Sequence, residues 1–360
     1  MRETAPDSNT VSVKARPFYK TYPFWIGIVV SVLLLCLFLF QNDFSDMGKA
    51  FTEANYLFLI PALAVYLIGV LFRAIRWHYL LRPIKKISPF RLFTVIIIGF
   101  LVNNVLPARL GLVARAVILG QKYNISKVAT IGTMVVEQVF DGMALLFYVA
   151  VISLVVSLGG LLGGSLYLVA GIFLIAMGFC FLLALSPGLA RRLITFLARF
   201  LPGWLKNRIE AWMGHFIQGF GVLRSPFNLA IVFILSLVVW LFEGLTFYLV
   251  SIAFKVGQPY HVLLLVTAVA NLAWVLLVTP GGLGPFDLAA QQTLVFFGVK
   301  ISVATPFVLV LHAVIMLPVI AAGLLLLGRE SISIAQVMSQ KNTELAGGPQ
   351  SPEKSGGKPV

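Results

Sequence analysis

The sequence predicts an all-α fold: a polytopic helical membrane protein with about six full spans plus two re-entrant helical hairpins, roughly eight hydrophobic segments in all, built as an inverted repeat. Three observations predict it. The 360 residues are 59% hydrophobic and only 11% charged, with a mean hydropathy of +0.97, whereas a soluble domain carries roughly 25% charged residues. Apolar runs recur at close to the roughly 20 residues that cross a bilayer. Two of these runs break at short polar, Pro- and Gly-bearing stretches that echo one another.

Residues 1–23 are polar and basic, with Lys14, Arg16 and Lys20, and read as a cytoplasmic segment. The run 24–40 follows with no small-residue cleavage site after it, so it is expected to be an uncleaved first span. Further apolar runs fall at 56–72, 92–106, 128–158, 165–185, 228–254, 262–279, 286–298 and 304–327, and together they place a transmembrane domain over 24–327. The connections sort by charge. Residues 41–55 hold Asp43, Asp46 and Glu53 against Lys49, whereas 73–91 hold Arg73, Arg76, Arg82, Lys85, Lys86 and Arg91 with no acid. Residues 107–127 hold Arg109, Arg115, Lys122 and Lys127, and 186–227 hold six basic residues against Glu210. Basic loops stay in the cytoplasm, so 41–55 is expected outside and the other three inside. The net charge of +14 therefore points to anionic headgroups and not to nucleic acid.

Both flanks of 92–106 are basic, so this run must enter and leave on one side, as a re-entrant hairpin does. Its break reads NNVLPARLGLVARA, Asn103 to Ala116. Val105–Ala116 is echoed by VTPGGLGPFDLA, Val278–Ala289, with Pro107, Leu110 and Gly111 matched by Pro280, Leu283 and Gly284. Broken helices at corresponding places in two halves point to a transport site near mid-membrane. An inverted second hairpin would have 262–279 and 286–298 as its arms, with Lys255 and Lys300 outside. The other reading lets every run span. Within 186–227, Leu205, Ile209, Trp212, Phe216 and Phe220 recur at helical spacing and suit either a surface helix or a linker. Residues 328–360 are Gly-, Pro- and charge-rich and are expected to be disordered.

Intramembrane charges mark the candidate site, because each costs roughly 2.5–3.5 kcal/mol or more at the bilayer centre. They are Glu137, Asp141, Glu243 and Asp287. Glu137 and Asp141 are four residues apart and share a helical face, so cations must neutralise them. Arg109 and Arg115 are the expected partners, and a guanidinium fork suits a phosphate. Gly111 starts a helix whose free N–H groups add to an anion site. Gly281, Gly282 and Gly284 permit a tight turn and close approach of a ligand. Asn103, Asn104, Asn271 and Thr279 can bond freed backbone or a headgroup. The bland alternatives are a snorkelling Arg115, interhelical ion pairs for the three acids of the long spans, and a helix-start charge for Asp287. Cys36 and Cys180 lie in apolar runs and read as small hydrophobes. The four His have no metal spacing, no HExxH, GxSxG, Walker A or Rossmann motif occurs, and no metal, cofactor or catalytic residue is expected; the rival reading is a membrane-embedded transferase with Glu137, Asp141 or Asp287 as base, against which the missing donor-binding motif counts.

These motifs resemble the lysylphosphatidylglycerol synthase transmembrane region, a family of flippase-like membrane proteins. Its first motif, N-x-x-L-P-x-R-x-G-x-x-x-R, is met by Asn103, Leu106, Pro107, Arg109, Gly111 and Arg115. Its acidic motif, E-R-x-x-D, appears as Glu137 to Asp141 with Gln138 in place of the Arg. Its P-G-G-x-G motif is met by Pro280, Gly281, Gly282 and Gly284, followed by Asp287 where Glu is more usual. The resemblance covers about 20–330. It implies a bacterial or archaeal cytoplasmic (inner) membrane protein handling an anionic phospholipid or polyprenyl-linked lipid. Such a protein acts as a translocase, or as a subunit presenting lipid to a separate lipid-modifying glycosyl- or aminoacyl-transferase.

Overall fold

The computed structural model describes residues 22–40, 44–105, 110–156, 225–276 and 279–329, with five isolated positions between 164 and 192. The described residues are helical with no strand. In chain order the helices are α1 (Tyr22–Phe40), α2 (Phe44–Glu53), α3 (Leu59–Leu81), α4 (Pro89–Val105), α5 (Gly111–Tyr123), α6 (Lys127–Ser153), α7 (Pro226–Ala253), α8 (Tyr260–Leu276), α9 (Pro285–Phe296) and α10 (Ile301–Arg329). Among the described residues, four segments are long and apolar enough to cross a membrane: Tyr56–Leu81, Lys127–Ser153, Phe227–Ala253 and Ile301–Gly328. Large apolar side chains such as Val29, Ile60, Ile234 and Leu325 face outward, as lipid-facing surfaces do. Apart from those isolated positions, the run 165–185, the basic loop stripe and the C-terminal tail beyond 329 lie outside the described residues.

Local signals account for the helix ends. Ser126 accepts from the N–H of Ala129, and Ser225, with Pro226 next to it, accepts from the N–H of Asn228. α5 stops at Asn124, which takes the left-handed φ of 50° that Asn tolerates. One expectation is corrected. The second span does not stop at residue 72, because α3 runs on to Leu81 and carries Arg73 and Arg76 into the protein interior. The acidic stretch after α1 also contains a helix, α2, turned 87° from α1.

The short helices fold back in pairs. Gly111 N–H donates to Asn103 Oδ1 at 2.8 Å, and Gly99 lies against Arg115. Four residues back along α4 thus match four residues forward along α5, the register of an antiparallel hairpin. In the second pair the Gln258 amide donates to the Phe297 carbonyl at 2.9 Å at the base, while Trp274 meets Gly282 at the tip. With 17 and 13 residues in one pair and 17 and 12 in the other, each arm is about 25 Å long or shorter at 1.5 Å per residue. That falls short of the roughly 30 Å hydrocarbon core.

The hairpins enter from opposite ends. α3 begins beside the end of α7, where Asn55 N–H donates to the Ala253 carbonyl at 2.9 Å. The second hairpin's base, at Gln258, is five residues beyond that contact. α3 ends beside the base of the first hairpin, where Lys85 Nζ donates to the Tyr123 carbonyl at 2.8 Å. The two tips touch: a Cβ added at Gly281 would stand 3.7 Å from the backbone oxygen of Asn104.

Candidate functional site

α3, α5, α6 and α7 converge on a buried charge network. Arg76, with none of its surface exposed, is its hub. Its NH1 donates to Asp141 Oδ1 (2.5 Å) and Ser236 Oγ (2.8 Å), and its NH2 to Glu137 Oε1 (3.0 Å) and Asp141 Oδ2 (3.1 Å). Arg115 NH2 donates to Glu137 Oε2 at 2.8 Å, and Arg73 NH2 to Glu243 Oε2 at 3.2 Å. Trp240 Nε1 donates to Asp141 Oδ1 at 2.9 Å, and Arg115 stacks over Trp77 at 3.9 Å. Three guanidinium groups thus face three carboxylates. Such a network is stable in low dielectric only because each charge is paired and hydrogen-bonded.

Helical spacing explains the convergence. Glu137 and Asp141 project from one face of α6 and grip Arg76 from two turns. Arg73, Arg76 and Trp77 lie on the face of α3 toward α6 and α7. Arg115 reaches the network over Gly99, where a Cβ would come within 2.6 Å of its Cγ. Glycine at 99 therefore makes the path for the side chain. Thr133 and Ser236, both fully buried, accept from Trp77 Nε1 and Arg76.

The structure brings together Arg115, Glu137, Asp141 and Glu243 from the sequence-derived candidates. Asp141, expected to lean on Arg109 or Arg115, is held by Arg76. Glu243 is paired with Arg73. Arg109 lies outside the described residues. Sequence reasoning missed Arg73 and Arg76, because both were counted as loop charges. Their spacing of three, in step with Trp77 and Leu80, was the signal that could have found them.

The remaining candidates form the two tips. Asn103 closes the first by accepting from Gly111 N–H. A Cβ on Gly111 would stand 2.1 Å from the Gly99 carbonyl oxygen, so the arms touch backbone to backbone there. Asn104 abuts Gly281. Gly281, Gly282 and Gly284 take φ of 60°, 80° and 94°, a turn that favours glycine at each step. Ser31 Oγ of α1 donates to the Leu283 carbonyl at 2.8 Å and seats this turn. Asp287 is apart from the charge network. Its Oδ2 accepts from Gly284 N–H at 2.9 Å, and its Oδ1 lies 2.6 Å from His312 Nδ1. The helix-start role is therefore real, and His312 is a partner the sequence did not suggest. Asn271 donates to the Thr267 carbonyl one turn back. No cluster of three or more metal-ligating side chains occurs among the described residues.

Long apolar spans around two opposed helical hairpins, with paired charges beside the tips, define a polytopic membrane protein of the broken-helix kind. The chain belongs to the lysylphosphatidylglycerol synthase TM region family, which it matches over residues 24–323. It is 26% identical over 301 residues to a UPF0104 membrane protein of Methanothermobacter thermautotrophicus, covering 75% of this chain and 82% of that protein. It is also 26% identical over 295 residues to glycosyltransferase AglD of Haloferax volcanii, covering 73% of this chain and 47% of that longer protein. No solved structure matches the chain.

Proposed function

We propose that the chain is a flippase-like translocase for an anionic or lipid-linked, phosphate-bearing lipid in the cytoplasmic membrane of a bacterial or archaeal cell, and not an enzyme. The observation that carries this reading is Arg115. Its guanidinium is buried one turn beyond the first tip and bonds through NH2 to Glu137, while its Nε has no hydrogen-bond partner among the described residues. A buried donor without an acceptor is costly, and a phosphate oxygen is an acceptor the fork can take. Arg76 Nε is likewise without a partner among the described residues, but both of its terminal nitrogens are engaged by Glu137, Asp141 and Ser236, so Arg76 braces the carboxylates. Arg109 is the second phosphate ligand expected from sequence. The tips of the two hairpins gate the site alternately from opposite sides.

The basic end, with Arg82, Lys85, Lys86, Arg91 and Lys122, faces the cytoplasm, and the N-terminus lies there too. The end with Asp46, Glu53 and Lys255 faces outward; Lys255 Nζ lies 3.7 Å from Glu53 Oε2. Leaflet-specific labelling of anionic lipids in proteoliposomes tests the assignment. Arg115→Ala and Glu137→Gln are each expected to slow translocation roughly tenfold or more, the scale of one lost charge-assisted hydrogen bond. Wild-type rates in both variants for every anionic lipid tried would sink it.

A second reading is favoured by the likeness to glycosyltransferase AglD, of which this chain spans about half. In that reading the chain presents a lipid to a separate transferase. Lipid movement by the purified chain alone separates the two.

A further inference from the structure

His312, 8% exposed, projects from α10 onto the second hairpin tip. Its Nδ1 is 2.6 Å from Asp287 Oδ1, and its Nε2 is 3.1 Å from the Gly281 carbonyl oxygen. A carboxylate and a carbonyl are both acceptors. An imidazole with one ring proton can serve only one of them, and an imidazolium serves both. The elements packed against α10 carry Asp46, Lys49 and Glu53 on α2, Arg73, Arg76 and His78 on α3, Arg91 on α4, Glu243 on α7 and Asp287 on α9. Of these, Asp287 is the one in hydrogen-bond contact with His312 among the described residues. Phe286 packs edge-on against the ring, with centroids 5.2 Å apart.

We propose that Asp287 and His312 form a proton-binding site that latches the second hairpin tip. With the proton bound, the pair is neutral and each ring N–H has its acceptor. When the proton leaves, the pair carries one negative charge and the ring has one N–H. The carboxylate keeps it, because an ionised acceptor bonds more strongly than a carbonyl. Nε2 then presents a lone pair to the Gly281 oxygen, so the attraction there becomes repulsion. The glycine turn, whose backbone pivots at Gly281 and Gly282, is freed where it meets Asn104. In a translocase this makes the proton the ion coupled to tip movement, a step that rests on the function proposed above. The latch itself does not.

The test follows thiol labelling at the tip in full-length protein in lipid nanodiscs. With Cys36 and Cys180 replaced by alanine, a Leu283→Cys reporter is labelled with a maleimide from pH 5 to 9. Each rate is divided by that of a Lys300→Cys reporter, which removes the intrinsic thiol titration. The normalised rate is expected to rise about tenfold toward high pH, the scale of one lost charge-assisted hydrogen bond. Asp287→Asn should hold it slow and flat, because the amide donates to Nδ1 of the neutral ring or accepts from Nδ1–H of the imidazolium, and Nε2–H is left for Gly281 in both forms. A flat wild-type profile overturns the latch even if the variant fails to fold, and so does a rise that persists in a folded Asp287→Asn. A lipid-translocation assay on the same samples is independent. If the step is present and no lipid moves, the function proposed above fails and the latch stands.

Discussion

Arg76 is the residue on which the buried network turns. It satisfies two carboxylates and a hydroxyl with no exposed surface. Removing one member of a buried pair costs about 3–5 kcal/mol, because the other charge is left without compensation. Arg76→Met is therefore expected to lower the melting temperature in detergent far more than Arg82→Met, which removes an exposed side chain. Equal shifts in the two variants would show that the network contributes little to stability. Gly99→Ala acts differently, since its methyl would strike the Cγ and Cδ of Arg115 at 2.6 and 2.8 Å. It should slow lipid movement while stability falls less than in Arg76→Met, and a translocation assay read beside a melting curve separates the two effects. At this scale the sequence was informative about the acids and Arg115, whose motif spacing and apolar flanks stand out. It was misleading about Arg73 and Arg76, because a helix end cannot be located by charge alone when distant carboxylates neutralise that charge.

The hairpin is the element that makes the site. Its closure depends on Gly111, where a Cβ would collide at 2.1 Å with the Gly99 carbonyl oxygen. Backbone cannot yield as a flexible side chain does, so Gly111→Ala should part the arms of α4 and α5. The expected readout is a clear loss of thermal stability, larger than for Gly48→Ala, where an added Cβ meets nothing within 4 Å. Both breaks were legible in sequence because Pro and Gly interrupt apolar runs there. The pairing of Asp287 with His312 was not, since 25 residues and a helix boundary separate them. A lone His in an apolar helix carries no sign of which acceptors will face it.

The opposed hairpins make the molecule two-ended. Cysteines placed at Lys122 and Lys300 should label from opposite sides of a sealed vesicle, and labelling of both from one side would falsify that topology. Composition alone determined that the chain is a multi-pass membrane protein, because so apolar a surface has no other stable solvent. The motif order pointed to the family, the charge asymmetry of the loops to the first re-entrant hairpin, and the internal echo to an inverted second one. Only the tertiary structure decided which cation meets which carboxylate, that the two tips touch, and that a histidine on the last helix lies against the second tip. Hydropathy and spacing act along one chain direction. Ion pairing in low dielectric is settled by whichever groups are brought within about 3 Å, and Arg76 and Asp141, on two different helices, are 65 residues apart in the chain.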